Sequence, residues 1–372
     1  METSETREFT GNENIMVIVN RDRDLATFRD ELIVGLIENK YHVIIVSPDG
    51  DTLQRYREMG CDVVIQYVNR HGTNIIQDGK LIKNYITIIK RYMPRCVLTF
   101  TIKPNLYAGI ACRVLNVSYM PNITGLGTTF DKKGILLNLI IKLYKVSIPH
   151  ARCVFFQNDD NIRILNEHKI KFGRYRLIPG SGVNVNKFVI HDYPPNDKMS
   201  FVYMARIKKE KGCLELTEAA RIITQKYPNV EFHILGIFEY EYSYLEKEWS
   251  AMDRVYYHGY QNDIRPFLKS AHALVHPSYE EGMSNTCLEA SAMGRPIIAS
   301  NIPGCREIFD DGKTGIAIKP RNVASLVAGI ERFIKLPYEE KKTMGIKAAH
   351  KVRKQFNRNI VVNAYLDEIG RL

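Results

Sequence analysis

Short, largely apolar runs recur along the chain, and several are followed by stretches with apolar residues at helical spacing. The runs fall at residues 15–19 (IMVIV), 43–46 (VIIV), 63–65, 96–101, 118–122, 153–157 and 177–178, with helical spacing across 25–37 and 52–59. Strands that are apolar throughout, rather than at alternate positions, belong to a parallel sheet covered on both faces. A polar segment with two prolines, 192–198 (DYPPNDK), interrupts this rhythm, which restarts with runs at 201–205, 231–235, 255–258, 273–276 and 296–300. Further helical patterns span 214–226, 323–334 and 359–369. The pattern predicts two doubly wound α/β domains in tandem: 1–190, then a linker at 191–198, then 199–355. A last helix in 356–372 is free to cross back to the first domain.

Length and composition agree with this picture, since 372 residues with 45% hydrophobic content are enough for two cores. No uninterrupted apolar run approaches the roughly 18 residues of a membrane-spanning helix. The polar, partly acidic start (METSETREFTGNEN) is unlike a signal peptide, so the protein is expected in the cytosol. Seven cysteines, at 61, 96, 112, 153, 213, 287 and 305, are scattered and form no C-x-x-C pair, which argues against a disulfide framework and a zinc site. They read as buried, reduced thiols.

Charge sharpens the picture. The net charge is +11, and twelve basic residues but a single acid, Asp131, lie between Gly79 and Asn158. Such a field suits an anionic partner, either nucleic acid or an anionic membrane surface. Aromatic residues are not interleaved with the basic ones as base-stacking platforms require, so nucleic acid is not expected. Within 131–148 the polar positions Asn138, Lys142 and Lys145 form a narrow stripe on an otherwise apolar helix. Such a helix either lies in a membrane interface or packs as a buried helix with one solvated edge.

The richest chemistry sits in 276–296, HPSYEEGMSNTCLEASAMGRP. The apolar run 273–276 ends at Pro277, a polar loop follows, and a helical pattern begins near Ser284 or Asn285 and closes at Gly294 and Pro296. A helix N-terminus attracts phosphate through its unpaired N–H groups and its dipole. Glu281 and Glu289 bracket this end in an E-x7-E spacing. Carboxylates repel phosphate but accept from hydroxyls, so the arrangement suits a ligand with a diphosphate at its centre and a sugar at either end. After the run 201–205 comes ARIKKEKG, which sets Arg206, Lys208, Lys209 and Lys211 before a helix beginning near Gly212. Arg206 supplies bidentate contacts and Lys211 a point charge for a second phosphate-facing site.

These segments, with NIPGCREIFDDGKTG at 301–315, resemble the second domain of retaining family-4 glycosyltransferases. The resemblance implies the GT-B fold, two Rossmann-like doubly wound domains facing across an interdomain cleft. It also implies that Arg206 and Lys211 neutralise the donor diphosphate and that Glu281 binds hydroxyls of the transferred sugar. Gly282, Met283, Ser284 and Asn285 would line the donor, Glu289 would hold the ribose, and the base would lie against the loop after Gly236 and the segment ending at Tyr260. The first half resembles a bacterial branch that builds capsule, exopolysaccharide or lipid-linked oligosaccharide. There Asn20, Arg29 and the loop with Thr124, Gly125 and Gly127 (NITGLGTTF) become the acceptor-side candidates. Many relatives carry a Gly-Gly pair after the first strand, where this chain has NRDRD.

The implied function is transfer of a sugar from a nucleotide-diphosphate sugar, with UDP as the default base, to a polyprenyl-diphosphate-linked saccharide with retention. The protein is then expected at the inner face of the cell membrane, held peripherally through 79–158. No metal or other cofactor is expected. Asp22-Arg23-Asp24 matches the D-x-D metal signature of a different glycosyltransferase fold and reads here as a loop. A nucleotide-sugar 2-epimerase of the same fold and a non-catalytic basic binding protein are the alternatives.

Overall fold

The computed structural model describes residues 13–69, 75–126, 130 and 134–372. The chain divides into two compact units, Met1–Ser181 with Asn359–Leu372, and Gly182–Arg358. The first contains a seven-stranded sheet of β1 (Asn14–Ile18), β2 (His42–Ser47), β3 (Asp62–Ile65), β4 (Cys96–Phe100), β5 (Ser118–Ile123), β6 (Val154–Phe156) and β7 (Tyr175–Leu177). The second contains a six-stranded sheet of β8 (Met199–Met204), β9 (Val230–Leu235), β10 (Val255–Tyr257), β11 (Ala273–His276), β12 (Ile297–Ser300) and β13 (Gly315–Ile318).

The strand orders are β3-β2-β1-β4-β5-β6-β7 and β10-β9-β8-β11-β12-β13, with parallel pairing throughout. Each order reverses once, between β1 and β4 and between β8 and β11. In open α/β sheets these switch points, at the carboxyl ends of the strands, are where ligands bind. Alternate residues of one strand feed opposite cores, as the pleat requires. Met16 and Ile18 pack with Ile44 and Val46 on one face, while Ile15 and Val17 pack with Val43 and Ile45 on the other.

The sequence-based linker is corrected by the packing of 191–198. Tyr193 is buried and its hydroxyl donates to the carbonyl of His272 at 2.8 Å. The fully buried Arg295 donates to the carbonyls of His191 at 3.3 Å and Asp192 at 2.7 Å. The segment therefore belongs to the second unit, and the chain changes unit at 181/182 and 358/359. These crossings run side by side: Gly182 has φ +66, and a Cβ on it would stand 2.6 Å from the Arg358 Cα.

The helix Arg358–Gly370 carries the return. Its Val361, Tyr365 and Ile369 share one face and join the core of the first unit. The Tyr365 hydroxyl accepts from Asn122 Nδ2 at 2.7 Å, and the buried Glu368 takes both arms of Arg174 at 2.6 and 2.9 Å. The helix Tyr338–Gln355 and strand β13 were not legible in the apolar pattern. The helix buries Lys341, Gly345, Ala348 and Ala349 alongside Met344 and Val352, so its apolar stripe is faint. The 131–148 pattern corresponds to the helix Ile135–Ser147 among the described residues.

Candidate functional site

Strand β11 ends at His276, and Pro277, which lacks an N–H, starts the loop that leads to Glu281. Ser284 caps the helix Asn285–Ala292, its Oγ accepting from Cys287 N at 3.4 Å. Leu288 N reaches the Ser284 carbonyl at 3.1 Å. Among the described residues the N–H groups of Asn285 and Thr286 meet no acceptor, as expected at the open end of a helix. The Asn285 Oδ1 is buried without a partner, and the Met283 side chain is buried.

The neighbouring strand β8 leads into the turn Lys209–Lys211 and the helix Cys213–Lys226. Gly212, with φ +69, joins them, and a Cβ there would stand 2.2 Å from the Pro277 carbonyl oxygen. The Glu210 carbonyl accepts from Tyr279 N at 2.9 Å and from Ser278 Oγ at 3.2 Å. The loops after β8 and β11, which flank the switch point, are thus latched together through backbone.

The latch sets Lys211 Nζ 2.5 Å from Glu281 Oε1, which also accepts from His276 Nε2 at 2.9 Å. Ser284 Oγ lies 3.1 Å from the same ring nitrogen. Burial opposes ionisation of Glu281, but the Lys211 charge and the His276 hydrogen bond outweigh it and hold the carboxyl well below the usual carboxylate range. Glu281 is therefore an ionised acceptor. Glu289 is the reverse case: burial pushes it up to about 7, although the charges of Arg358 and Lys187 pull the other way. Among the described residues no hydrogen-bond donor meets its carboxylate.

Arg206 is half-exposed and reaches Glu239 Oε1 at 3.3 Å, while Lys208 lies between Glu210 at 3.4 Å and Glu239 at 3.9 Å. At the end of β9, Gly236 has φ +150, and a Cβ would sit 1.8 Å from the Ala205 carbonyl oxygen. Its own carbonyl accepts from the Tyr257 hydroxyl at 2.9 Å, and Tyr260 is half-exposed nearby in sequence. Arg206, Lys211, Gly236, Tyr260 and the segment from Glu281 to Glu289 thus lie on the loops and the first helix turns that follow β8 to β11.

In the first unit Asn20 follows β1, and Thr124 and Gly125 follow β5, at the carboxyl edge of that sheet. Gly127 lies outside the described residues. Arg29 is buried with its guanidinium 4.0 Å above the Phe100 ring, which closes β4. Asp22 accepts from Thr52 Oγ1 at 3.1 Å, and Asp24 pairs with Arg21 at 2.7 Å in the first turn of the helix Arg23–Phe28. The D-x-D segment therefore opens a helix instead of forming a loop, and each carboxylate is engaged by neighbouring protein groups. Sequence reasoning missed Thr101, which sits at the end of β4 with φ +74 and a buried hydroxyl without a partner. A β-branched residue in that backbone region is strained, but its identity alone carries no sign of it.

Two family models match the chain, "Glycosyl transferase 4-like" over residues 15–158 and "Glycosyl transferases group 1" over 190–352. A Campylobacter jejuni protein, N,N'-diacetylbacillosaminyl-diphospho-undecaprenol alpha-1,3-N-acetylgalactosaminyltransferase, is 25% identical over 93% of this chain and 95% of its own. An Escherichia coli protein, UDP-Gal:alpha-D-GlcNAc-diphosphoundecaprenol alpha-1,3-galactosyltransferase, is 26% identical over 70% of this chain and 71% of its own. The crystal structure of Anabaena HepE in complex with UDP and glucose superposes with a TM-score of 0.79 over 97% of this chain and 100% of that one, at 15% identity.

The two carboxylates have opposite pH signatures. Lys211→Met is expected to cost about 1.5–3 kcal/mol at pH 7, as for a hydrogen bond between charged groups. A depressed carboxyl stabilises above its ordinary value of 4.5, so the deficit should narrow as urea unfolding is repeated at falling pH. Glu289→Gln should instead stabilise the ligand-free protein at pH 8, by on the order of 1–3 kcal/mol. With its folded value raised to about 7 from 4.5, the native carboxyl costs stability as pH rises through that window, so the gain should vanish on acidification. A gain that does not change with pH would contradict this assignment.

Proposed function

Because the chain belongs to the glycosyltransferases, group 1 in its second half and 4-like in its first, on a GT-B fold, we propose the following reaction. It moves a sugar from a nucleoside-diphosphate sugar, by default a UDP-sugar, to a polyprenyl-diphosphate-linked saccharide with retention. The product is an intermediate of a bacterial surface polysaccharide or oligosaccharide. The observation that carries this reading is the Lys211–Glu281–His276 chain beside the open N-terminus of Asn285–Ala292 at the β8/β11 switch point. The relatives named above support the acceptor class, since both are named for lipid-diphosphate saccharides and for alpha linkages. Neither alternative draws comparable support, because the full-length relative is named as a transferase.

In this mechanism Arg206, Lys211 and the N–H groups of Asn285 and Thr286 take up charge as the nucleoside diphosphate departs, which lowers the barrier more than it stabilises the bound donor. Glu281 accepts from hydroxyls of the transferred sugar. Its ionised state suits an acceptor-only role, and its pairing with Lys211 keeps the carboxylate beside the cation that faces the phosphates. Glu289 accepts from the ribose, Gly282, Met283 and Ser284 offer backbone contacts, and the base rests by Gly236 and Tyr260. Asn20, Arg29, Thr124, Gly125 and Gly127 are the acceptor-side groups. No step requires a metal.

The acceptor is a lipid, and we assign docking on an anionic bilayer to the basic region 79–158. No described helix is long and apolar enough to cross a membrane. On the helix Ile135–Ser147, Leu137, Ile140 and Tyr144 are buried, while Ile135, Leu136 and Val146 are exposed beside Lys142 and Lys145. Arg113 donates to the Val146 carbonyl at 3.1 Å, which adds a further cation beside these exposed apolar residues. Apolar tips flanked by lysines suit interfacial insertion.

Incubation with a panel of nucleotide sugars and undecaprenyl-diphosphate-linked saccharides should give an elongated lipid product whose new linkage keeps the donor's anomeric configuration by NMR. Arg206→Ala and Lys211→Met should each slow turnover, by roughly 100- to 1,000-fold if they act as typical oxyanion donors. Donor consumption that is indifferent to acceptor would favour the epimerase. For the membrane, flotation with phosphatidylglycerol vesicles at low salt should recover the protein. Reversal of two lysines, Lys142→Glu with Lys145→Glu, should cut partitioning by at least roughly thirtyfold, at about 1 kcal/mol for each positive charge removed and with the added carboxylates repelled by the anionic surface. Equal flotation of both proteins would remove this helix from the docking surface.

A further inference from the structure

Beneath the Glu281 loop lies a cluster of which His276 alone touches the site, through its hydrogen bond to Glu281. His276 ends β11, Cys287 sits in the first turn of Asn285–Ala292, and Cys305 follows Gly304. One ring nitrogen and the two sulfurs lie within 4.8 Å of one another, and all three residues are buried. Both thiols are free. We propose that these three side chains form a binding site for a thiophilic d10 cation of the zinc class, set directly behind the donor carboxylate.

Two independent features point to a ligand. The first is the donor set: two thiolates and one imidazole match soft-metal ligation, and Zn–S bonds of about 2.3 Å with Zn–N bonds of about 2.1 Å need ligand atoms roughly 3.6–3.8 Å apart. Closing from 4.8 Å or less asks for small side-chain rotations. The second is the orphaned nitrogen. His276 Nε2 is taken by Glu281 Oε1 at 2.9 Å and lies 3.1 Å from Ser284 Oγ, whereas Nδ1 is buried without a partner. A buried acceptor left unpaired is costly, and a histidine whose outer N–H is held by a carboxylate is the usual geometry of a metal ligand.

The charges and protons balance. The two thiols release two protons to solvent, the two thiolates offset a divalent ion, and the neutral imidazole donates its Nδ1 lone pair. The assembly then carries no net charge, which allows its burial. Ligation at Nδ1 places the remaining ring proton on Nε2, where it donates to Glu281. The ion would thus fix the tautomer that orients Glu281, without touching the donor. Linear spacing conceals the site, since 29 positions separate His276 from Cys305.

The inference does not rest on the proposed reaction, and its test reads the ion directly. The full chain, stripped with a chelator, is titrated with Co2+ as an optical stand-in for zinc. One equivalent should bring up thiolate-to-cobalt charge-transfer absorption, and Zn2+ should bleach it. Cys287→Ser and Cys305→Ser should each abolish the charge-transfer band at one equivalent, while Cys213→Ser, a buried thiol in another core, should keep it. Glu281→Gln should weaken the ion by roughly ten- to a hundredfold through its hold on His276. Near-ultraviolet circular dichroism checks folding, and Cys305→Ala replaces Cys305→Ser if the buried hydroxyl is not tolerated. A folded wild type that shows no thiolate band overturns the proposal outright, as does a band that survives loss of either Cys287 or Cys305.

Discussion

The site depends on one close backbone approach, Gly212 against Pro277. With φ +69 and a would-be Cβ 2.2 Å from a carbonyl oxygen, this position excludes every side chain on two grounds. That contact lets the turn Lys209–Lys211 lie against the β11 loop, where the Glu210 carbonyl accepts from Tyr279 N and Ser278 Oγ. Lys211 and Glu281 then meet because their backbones are already in register. The lysine, flexible in isolation, loses little further freedom on pairing. Arg206 is a contrast. It is half-exposed and pairs with Glu239 in direct contact with solvent, where an ion pair contributes little. One cation is preplaced and the other retains freedom to follow a ligand.

The same few residues push two carboxylates apart. Glu281 touches a lysine and a histidine and stays ionised, whereas Glu289 is half-buried with its nearest cations at a distance and is pushed up to about 7. Contact hydrogen bonds to cations overcome desolvation where remote Coulomb attraction does not. The consequence is a division of hydrogen-bonding capacity. Glu281 only accepts, while Glu289 both donates and accepts near neutral pH until a ligand supplies donors of its own. Two carboxyl groups on one loop and helix thus offer a ligand different hydrogen-bonding partners.

Legibility in the sequence followed the strength of local signals. Strand β11, its loop and the helix capped at Ser284 were read nearly to the residue, because Pro277 and Gly294 punctuate an apolar run and a helical pattern. Strand β13 and the helix Tyr338–Gln355 were not, since short or faint apolar patterns need tertiary packing to become helix or strand. The linker was misplaced because two prolines in a polar stretch signal a break in regular structure, not a break between units. Arg295 holds that stretch by its carbonyls, a contact made across about a hundred residues. The grouping of His276 with Cys287 and Cys305 is likewise a product of folding alone.

The two sheets also explain why one half was more readable than the other. Both present loops at a switch point, β1/β4 in the first unit and β8/β11 in the second. In the second, the loops carry Arg206, Lys211 and Glu281, residues whose charge and linear spacing are enough to suggest phosphate and sugar. In the first, the corresponding edge presents Asn20, Thr101, Thr124 and Gly125, which are neutral and common in ordinary turns. Neutral donors and acceptors act through placement, and placement comes from the fold. Thr101 shows this most clearly. Its positive φ and orphaned hydroxyl are costs that the surrounding sheet sustains, and strain held at a switch point is the kind of feature that marks a functional edge.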